Sequence, residues 1–98
     1  MYTALLLIAH GSRHPEANAD LQQLADEVRR RGTYDLVEIA YLELVEPTIV
    51  QAAERCAGCA RVVLLPYFLS AGVHVRDDLR RQRHELAARF PATTFVLA

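Results

Sequence analysis

The feature that most constrains this chain is its first apolar run. Thr3 to Ala9 (Thr-Ala-Leu-Leu-Leu-Ile-Ala) has no polar alternation, and it closes abruptly on His10-Gly11-Ser12. A strand with one wet face alternates apolar and polar residues; a continuous run of this length belongs to a strand covered on both faces. Helices must therefore flank it on two sides, and the rest of the chain supplies them. His14-Pro15-Glu16 opens a helix, with Pro at its first position and an acid in its first turn. The stripe Leu21, Leu24, Ala25, Val28 follows at helical spacing, and Gly32 ends it after Arg29-Arg30-Arg31. Tyr34 to Leu42 reads as a second strand. Glu46-Pro47 is expected to start a second helix with the stripe Ile49, Ala52, Ala53, Cys56, stopped by Gly58. Arg61 to Pro66 is a third, buried strand. A loop from Tyr67 to Gly72 leads to a third helix with the stripe Val75, Leu79, Leu86, Phe90, and Asp77-Asp78 are placed in its first turn. Pro91 breaks it, and Thr93 to Leu97 forms a fourth strand.

Strands alternating with helices give βαβ units and a parallel sheet, and right-handed crossovers narrow the topology. The first and third strands are the most apolar and belong in the middle. The second carries Asp35 and Glu38 and suits an edge. The expected fold is a three-layer α/β domain spanning residues 1–98, with a four-stranded parallel sheet in the flavodoxin-like order 2-1-3-4. Ligands of such sheets bind outside the carboxyl ends of the strands, where the strand order reverses, here between strands one and three.

Composition removes several functions. Eleven basic and twelve acidic residues give a net charge of −1, without the basic excess of a nucleic-acid-binding domain. All eleven basic residues are arginine, so no lysine is present for a Schiff base or a P-loop. The N-terminal apolar run lacks a basic flank and is too short for a signal peptide or a membrane span. A cytoplasmic protein with no membrane partner is the expectation. Two cysteines are too few for a disulfide scaffold. Cys56-Ala57-Gly58-Cys59 could be a redox pair or half a metal site. It falls at a helix C-terminus on the amino edge of the sheet, whereas a thioredoxin-like site sits at a helix N-terminus, where the dipole lowers the thiol pKa. Cys56 also continues an apolar stripe, so a buried core thiol is the plainer account.

The chemistry gathers at the carboxyl edge. His10 follows strand one, and His74 lies just beyond strand three at the mouth of helix three. Glu43 and Glu46 follow strand two, Arg13 and Arg76 sit near the histidines, and Gly11 and Gly72 allow tight turns or close approach to a ligand. Glu46 precedes Pro47 and has a structural use at a helix start; Glu43 has none, which makes it the better functional carboxylate. His14 reads as a helix-start residue, and His84 lies on a solvated face among Arg80, Arg81, Arg83 and Glu85. Walker A, GxGxxG and HExxH motifs are absent. Ser12 lacks the G-x-S-x-G frame of a nucleophile elbow, although a small hydrolase built on Ser12 and a histidine stays open as a weaker alternative.

Three segments carry a family resemblance: Leu7-Ile8-Ala9-His10-Gly11-Ser12-Arg13; Ala40-Tyr41-Leu42-Glu43-Leu44-Val45-Glu46-Pro47; and Pro66-Tyr67-Phe68-Leu69-Ser70-Ala71-Gly72-Val73-His74-Val75-Arg76-Asp77-Asp78. In order and spacing the chain resembles the small CbiX-type sirohydrochlorin chelatases, relatives of the class II metal chelatases. The resemblance implies insertion of a divalent metal, Co²⁺ or Fe²⁺ and in some members Ni²⁺, into a tetrapyrrole, as in cobalamin or siroheme biosynthesis. The metal is then substrate, with no permanent cofactor. Carried over, the active-site histidines fall on His10 and His74 and the acidic residue on Glu43, as catalytic and metal-holding groups. Ser12, Arg13, Gly72 and Arg76 would contact the substrate, the arginines by clamping peripheral carboxylates. Small members continue past the fourth strand with a loop and a final helix, so that strand is expected to lack cover on one face. Double-sized relatives place the site between two such halves, and a half-sized chain would build its cleft as a homodimer. The rival expectation is a non-catalytic metal- or tetrapyrrole-binding module, a truncated or degenerate chelatase half.

Overall fold

The computed structural model describes residues 2–67 and 73–98, with side chains at 73 and 74 outside the described set. Its elements run β1 (Thr3–Ala9), α1 (Pro15–Arg31), β2 (Leu36–Tyr41), α2 (Ile49–Cys56), β3 (Arg61–Pro66), α3 (Val73–Arg89) and β4 (Thr94–Leu97). All pairings are parallel, and the sheet order is β2-β1-β3-β4, as the sequence predicts. β1 is the inner strand shared by both halves of the topology. Ala9 is in register with Tyr41 of β2, and Ile8 with Pro66 of β3.

Alternate residues of β1 feed two separate cores. Leu6 and Ile8 pack with Val62, Leu64 and Phe95 beneath Ile49, Ala52 and Ala53 of α2 and Leu79 and Leu86 of α3. Leu5 and Leu7 face the other way, with Val37, under Leu21 and Ala25 of α1. Every residue from Ala4 to Ile8 is buried, which is why the run carries no polar alternation. α1 ends as expected: Gly32 takes a left-handed φ of 69°, and its N–H donates to the Arg29 carbonyl. Arg29 also donates through Nε and Nη2 to the Val37 carbonyl of edge strand β2, at 3.1 and 2.6 Å.

β2 and β4 are shorter than the expected Tyr34 to Leu42 and Thr93 to Leu97, and two helix starts differ from the sequence reading. α2 does not begin at Glu46-Pro47, whose peptide bond is cis. It begins after Thr48, whose hydroxyl accepts from the Gln51 N–H while the Gln51 side chain accepts from the Thr48 N–H. That reciprocal capping box satisfies two orphan donors and outweighs the Pro signal. Asp77 and Asp78 lie past the first turn of α3, which holds no acid; they pair instead with Arg80 and Arg81 three residues on. No helix among the described residues is long and apolar enough to cross a membrane.

Cys56 and Cys59 are both free and buried. The Cys59 N–H donates to the Cys56 carbonyl in the turn after α2, and Thr93, also buried, donates its hydroxyl to the Ala57 and Cys59 carbonyls. The segment is thus a packed corner at the amino edge of the sheet. Burial pushes the Cys56 thiol up to about 12, with Glu38 and Cys59 adding to the shift; burial raises Cys59 as well.

Neither cysteine should react with Ellman's reagent at neutral pH until denaturant is added. The linkage has a definite sign: a folded-state pKa near 12 against an ordinary 9.0 means that the folded chain holds its proton longer. Stability should therefore be independent of Cys56 below pH 9 and fall as pH rises from there towards 12. Urea unfolding of Cys56→Ala should show a shallower alkaline decline than the parent.

Candidate active site

The carboxyl edge of β1 and β2 is built by two loops that stay hydrogen-bonded beyond the strands. The Leu42 N–H donates to the Ala9 carbonyl at 2.9 Å, and the Glu43 N–H donates to the His10 carbonyl at 3.0 Å. Parallel pairing thus runs on until His10 and Glu43 lie side by side. Gly11 then turns the chain with φ 101°, a region open to glycine, and a Cβ there would overlap the Glu43 carbonyl oxygen. On the partner loop Leu44 has φ 69°, and the Val45 N–H donates to the Glu43 carbonyl at 2.8 Å, closing a γ-turn. A left-handed, 58 % exposed leucine is held against its preference. The Tyr41 N–H donates to the Pro47 carbonyl, so the loop closes back onto the end of β2.

These constraints bring the His10 Nε2 to 2.7 Å from the Glu43 Oε1. Their side chains are 53 % and 56 % exposed, so the pair is open to solutes. An ionised carboxylate only accepts, so the shared hydrogen belongs on Nε2, and Nδ1 is the ring nitrogen turned away from Glu43. An imidazole held at one nitrogen by a carboxylate is the arrangement that proteins use to aim the other nitrogen at a cation. A cavity of about 200 Å³ lies beside it, lined in part by His10, Gly11, Ser12, Asn18, Tyr41 and Tyr67.

The other expected residues fall in different places. Glu46 receives a 3.4 Å contact from Gln51 in the α2 capping box, and its carboxylate serves that helix start. The Ser12 hydroxyl accepts from the His14 N–H at 3.0 Å, a local turn rather than a nucleophile poised against a base. Arg13 is exposed beside the start of α1. His74 lies by its backbone in the first turn of α3, with its side chain outside the described residues, and Gly72 lies outside them altogether. Arg76 lines a larger groove of about 810 Å³ between α3 and β4, with Arg80, Arg83, Leu79 and Phe95. Size does not make that groove the reactive centre: among the described residues its polar side chains are arginine, with no group to take up protons at neutral pH. Among the described residues no cluster of three or more His, Cys, Asp or Glu side chains stands ready for a metal.

Sequence reasoning missed Asn18 and Tyr41. The Asn18 side chain brackets the Ser12 backbone with both of its polar atoms: the Ser12 N–H donates to Oδ1 at 3.1 Å, and Nδ2 donates to the Ser12 carbonyl at 2.8 Å. Tyr41 is buried and its hydroxyl donates to the Asn18 carbonyl at 3.0 Å. The signal was present, because Asn18 extends the Leu21–Ala25 face by one turn and is a polar residue on a buried stripe.

An imidazole–carboxylate pair at the carboxyl edge of β1 and β2, beside the point where the strand order reverses, marks a small doubly wound α/β protein. The CbiX family model matches residues 4–98, and the chain belongs to that family. Over 80 residues it is 40 % identical to the sirohydrochlorin cobaltochelatase of Methanocaldococcus jannaschii, covering 80 % of this chain and 56 % of that protein. It is 32 % identical over 95 residues to the chloroplastic sirohydrochlorin ferrochelatase of Arabidopsis thaliana, covering 95 % and 42 %. The structure superposes with a TM-score of 0.88 on the cobalt complex of the sirohydrochlorin chelatase SirB from Bacillus subtilis subspecies spizizenii, at 27 % identity, over 99 % of this chain and 42 % of that one. The chain spans about half the length of the curated relatives it matches.

Replacing Gly11 with alanine should force the His10 and Glu43 loops apart. The overlap is with backbone and φ is positive, so a loss of at least ~1–3 kcal/mol is expected. Urea unfolding measures the loss, and the His10 ring signals in NMR should shift with it.

Proposed function

We propose that this chain is a sirohydrochlorin metal chelatase, inserting Co²⁺ or Fe²⁺ into the macrocycle, with Ni²⁺ a third candidate. The observation that carries the reading is the 2.7 Å His10–Glu43 pair at the open carboxyl edge. Membership of the CbiX family and likeness to cobalto- and ferrochelatases support it. Insertion replaces two pyrrole N–H protons by one divalent cation and needs neither nucleotide nor redox change. The chain must therefore offer a cation donor and proton acceptors in one place. His10, held by Glu43, presents its Nδ1 lone pair for either task. Glu43 balances the positive charge that gathers there. His74, in the first turn of α3, supplies the second imidazole. Ser12, Arg13, Gly72 and Arg76 contact the substrate, the arginines through its carboxylates. The metal passes through as substrate, and a donor set of imidazole and carboxylate accepts several first-row ions without selecting one.

The pair stands half in water, too open to enclose a macrocycle. We infer that a second copy supplies the opposite wall, as a C2 homodimer. Two buried, unpaired cysteines suit a reducing cytoplasmic setting.

Anaerobic sirohydrochlorin mixed with Co²⁺ or Fe²⁺ tests the assignment through its absorbance change. The protein should accelerate metalation well beyond the spontaneous rate, and His10→Ala should lose about 100-fold or more. No acceleration, or equal acceleration by His10→Ala/His74→Ala, overturns it; cobalt binding without turnover would assign a carrier instead. Light scattering under assay conditions should report a dimer, and a fully active monomer would exclude the shared cleft.

A further inference from the structure

We propose that Asn18 and Tyr41 act together as positioning residues that fix the geometry of the His10–Glu43 pair. Asn18 grips Ser12 by both main-chain groups, accepting from its N–H at 3.1 Å and donating to its carbonyl at 2.8 Å. This two-point grip leaves the peptide little freedom to rotate, unlike a single hydrogen bond. Ser12 is two residues from His10, and between them stands Gly11, the most pliable residue of the loop. Without the grip, the turn that aims His10 would depend on backbone bonds at its near side alone. Tyr41 connects the same asparagine to the other loop. Its hydroxyl donates to the Asn18 carbonyl at 3.0 Å, while its backbone ends β2 two residues before Glu43. It is in register with Ala9, the residue before His10, and its N–H holds the Pro47 carbonyl.

One residue of α1, through its side-chain amide to Ser12 and its main-chain carbonyl to Tyr41, thus ties together the segments that deliver the imidazole and the carboxylate. Tyr41 is buried among Leu5, Leu7 and Leu21, so the network is anchored in the core under α1 and not in solvent. Neither side chain is hydrogen-bonded to the His10 or Glu43 side chain; they act through the placement of that pair. Small misplacement matters here because an error of about 1 Å in a reacting group costs on the order of 100-fold in rate.

The catalytic consequence rests on the chelatase reading, whereas the geometric claim does not, and the experiment separates them. Asn18→Ala, Asn18→Asp and Tyr41→Phe are compared with the parent chain by circular dichroism, by the ¹⁵N-detected tautomer signature of the His10 ring, by Co²⁺ titration, and by metalation kinetics. Asn18→Asp keeps the acceptor for the Ser12 N–H but loses the donor to its carbonyl. Asn18→Ala should lose the Nε2–H signature and weaken Co²⁺ binding about tenfold, in the range typical of outer-shell partners. It should lower kcat about 10- to 100-fold with KM for the tetrapyrrole within about twofold of the parent. Asn18→Asp and Tyr41→Phe should fall between. A folded Asn18→Ala that keeps the His10 signature and the parent's Co²⁺ affinity overturns the proposal, as does a merely unstable one whose folded fraction retains both. Should Asn18→Ala not fold, unchanged ring signatures in both conservative variants overturn it equally. A parent chain that does not metalate the substrate refutes the chelatase reading and leaves the ring signature to decide the positioning role.

Discussion

A strand with no solvent face governs this molecule. Because every residue from Ala4 to Ile8 is buried, β1 must be roofed on two sides. A short chain meets that demand with α1 on one face and α2 and α3 on the other. The same demand sets the topology. Chain leaving β1 towards β2 and chain reaching β3 must cross on opposite faces, so the crevice between those crossovers opens at the carboxyl end of β1. His10 is the first residue past that end. The position of the imidazole is therefore a by-product of core packing, before any chemistry is considered.

Beyond the strands a second constraint takes over, the close passage of two main chains. The His10 and Glu43 peptides remain bonded, Gly11 admits the Glu43 carbonyl where any Cβ would collide, and Leu44 accepts a left-handed backbone to complete the turn. Local preference is overruled at Leu44, the kind of departure expected near functional groups and not along a helix. The pair is thus held by backbone geometry on one side and by the Asn18 amide on the other.

Strand and helix identity was legible because it rests on periodicity, and periodicity is local. The sheet order followed from which runs were apolar throughout, and the glycine end of α1 from a left-handed cap that needs no partner. The start of α2 was misplaced because Pro47 and Thr48 both signal a helix start, and only the reciprocal Thr48–Gln51 bonds decide between them. Asp77 and Asp78 were placed a turn too early for want of a visible cap. At the site, His10 and Glu43 could be read because each directly follows a strand of assigned order. Asn18 shows in the sequence only as a polar residue on the buried stripe of α1; its grip on Ser12 depends on how α1 lies over β1, which no sequence period records. His74 and Gly72 lie beyond the described side chains, and their readings rest on the sequence and its resemblance.

The half-exposed state of His10 and Glu43 bears on time as well as on strength. An ion met by one imidazole and one carboxylate at an open rim keeps part of its water shell, so it can leave along the path by which it came. Affinity differences of this kind are expressed chiefly in the departure rate. A deep, fully protein-lined cage would retain the cation and become a store. An open rim favours brief occupancy, and a brief stay is what a centre needs if it is to hand its ion to something else.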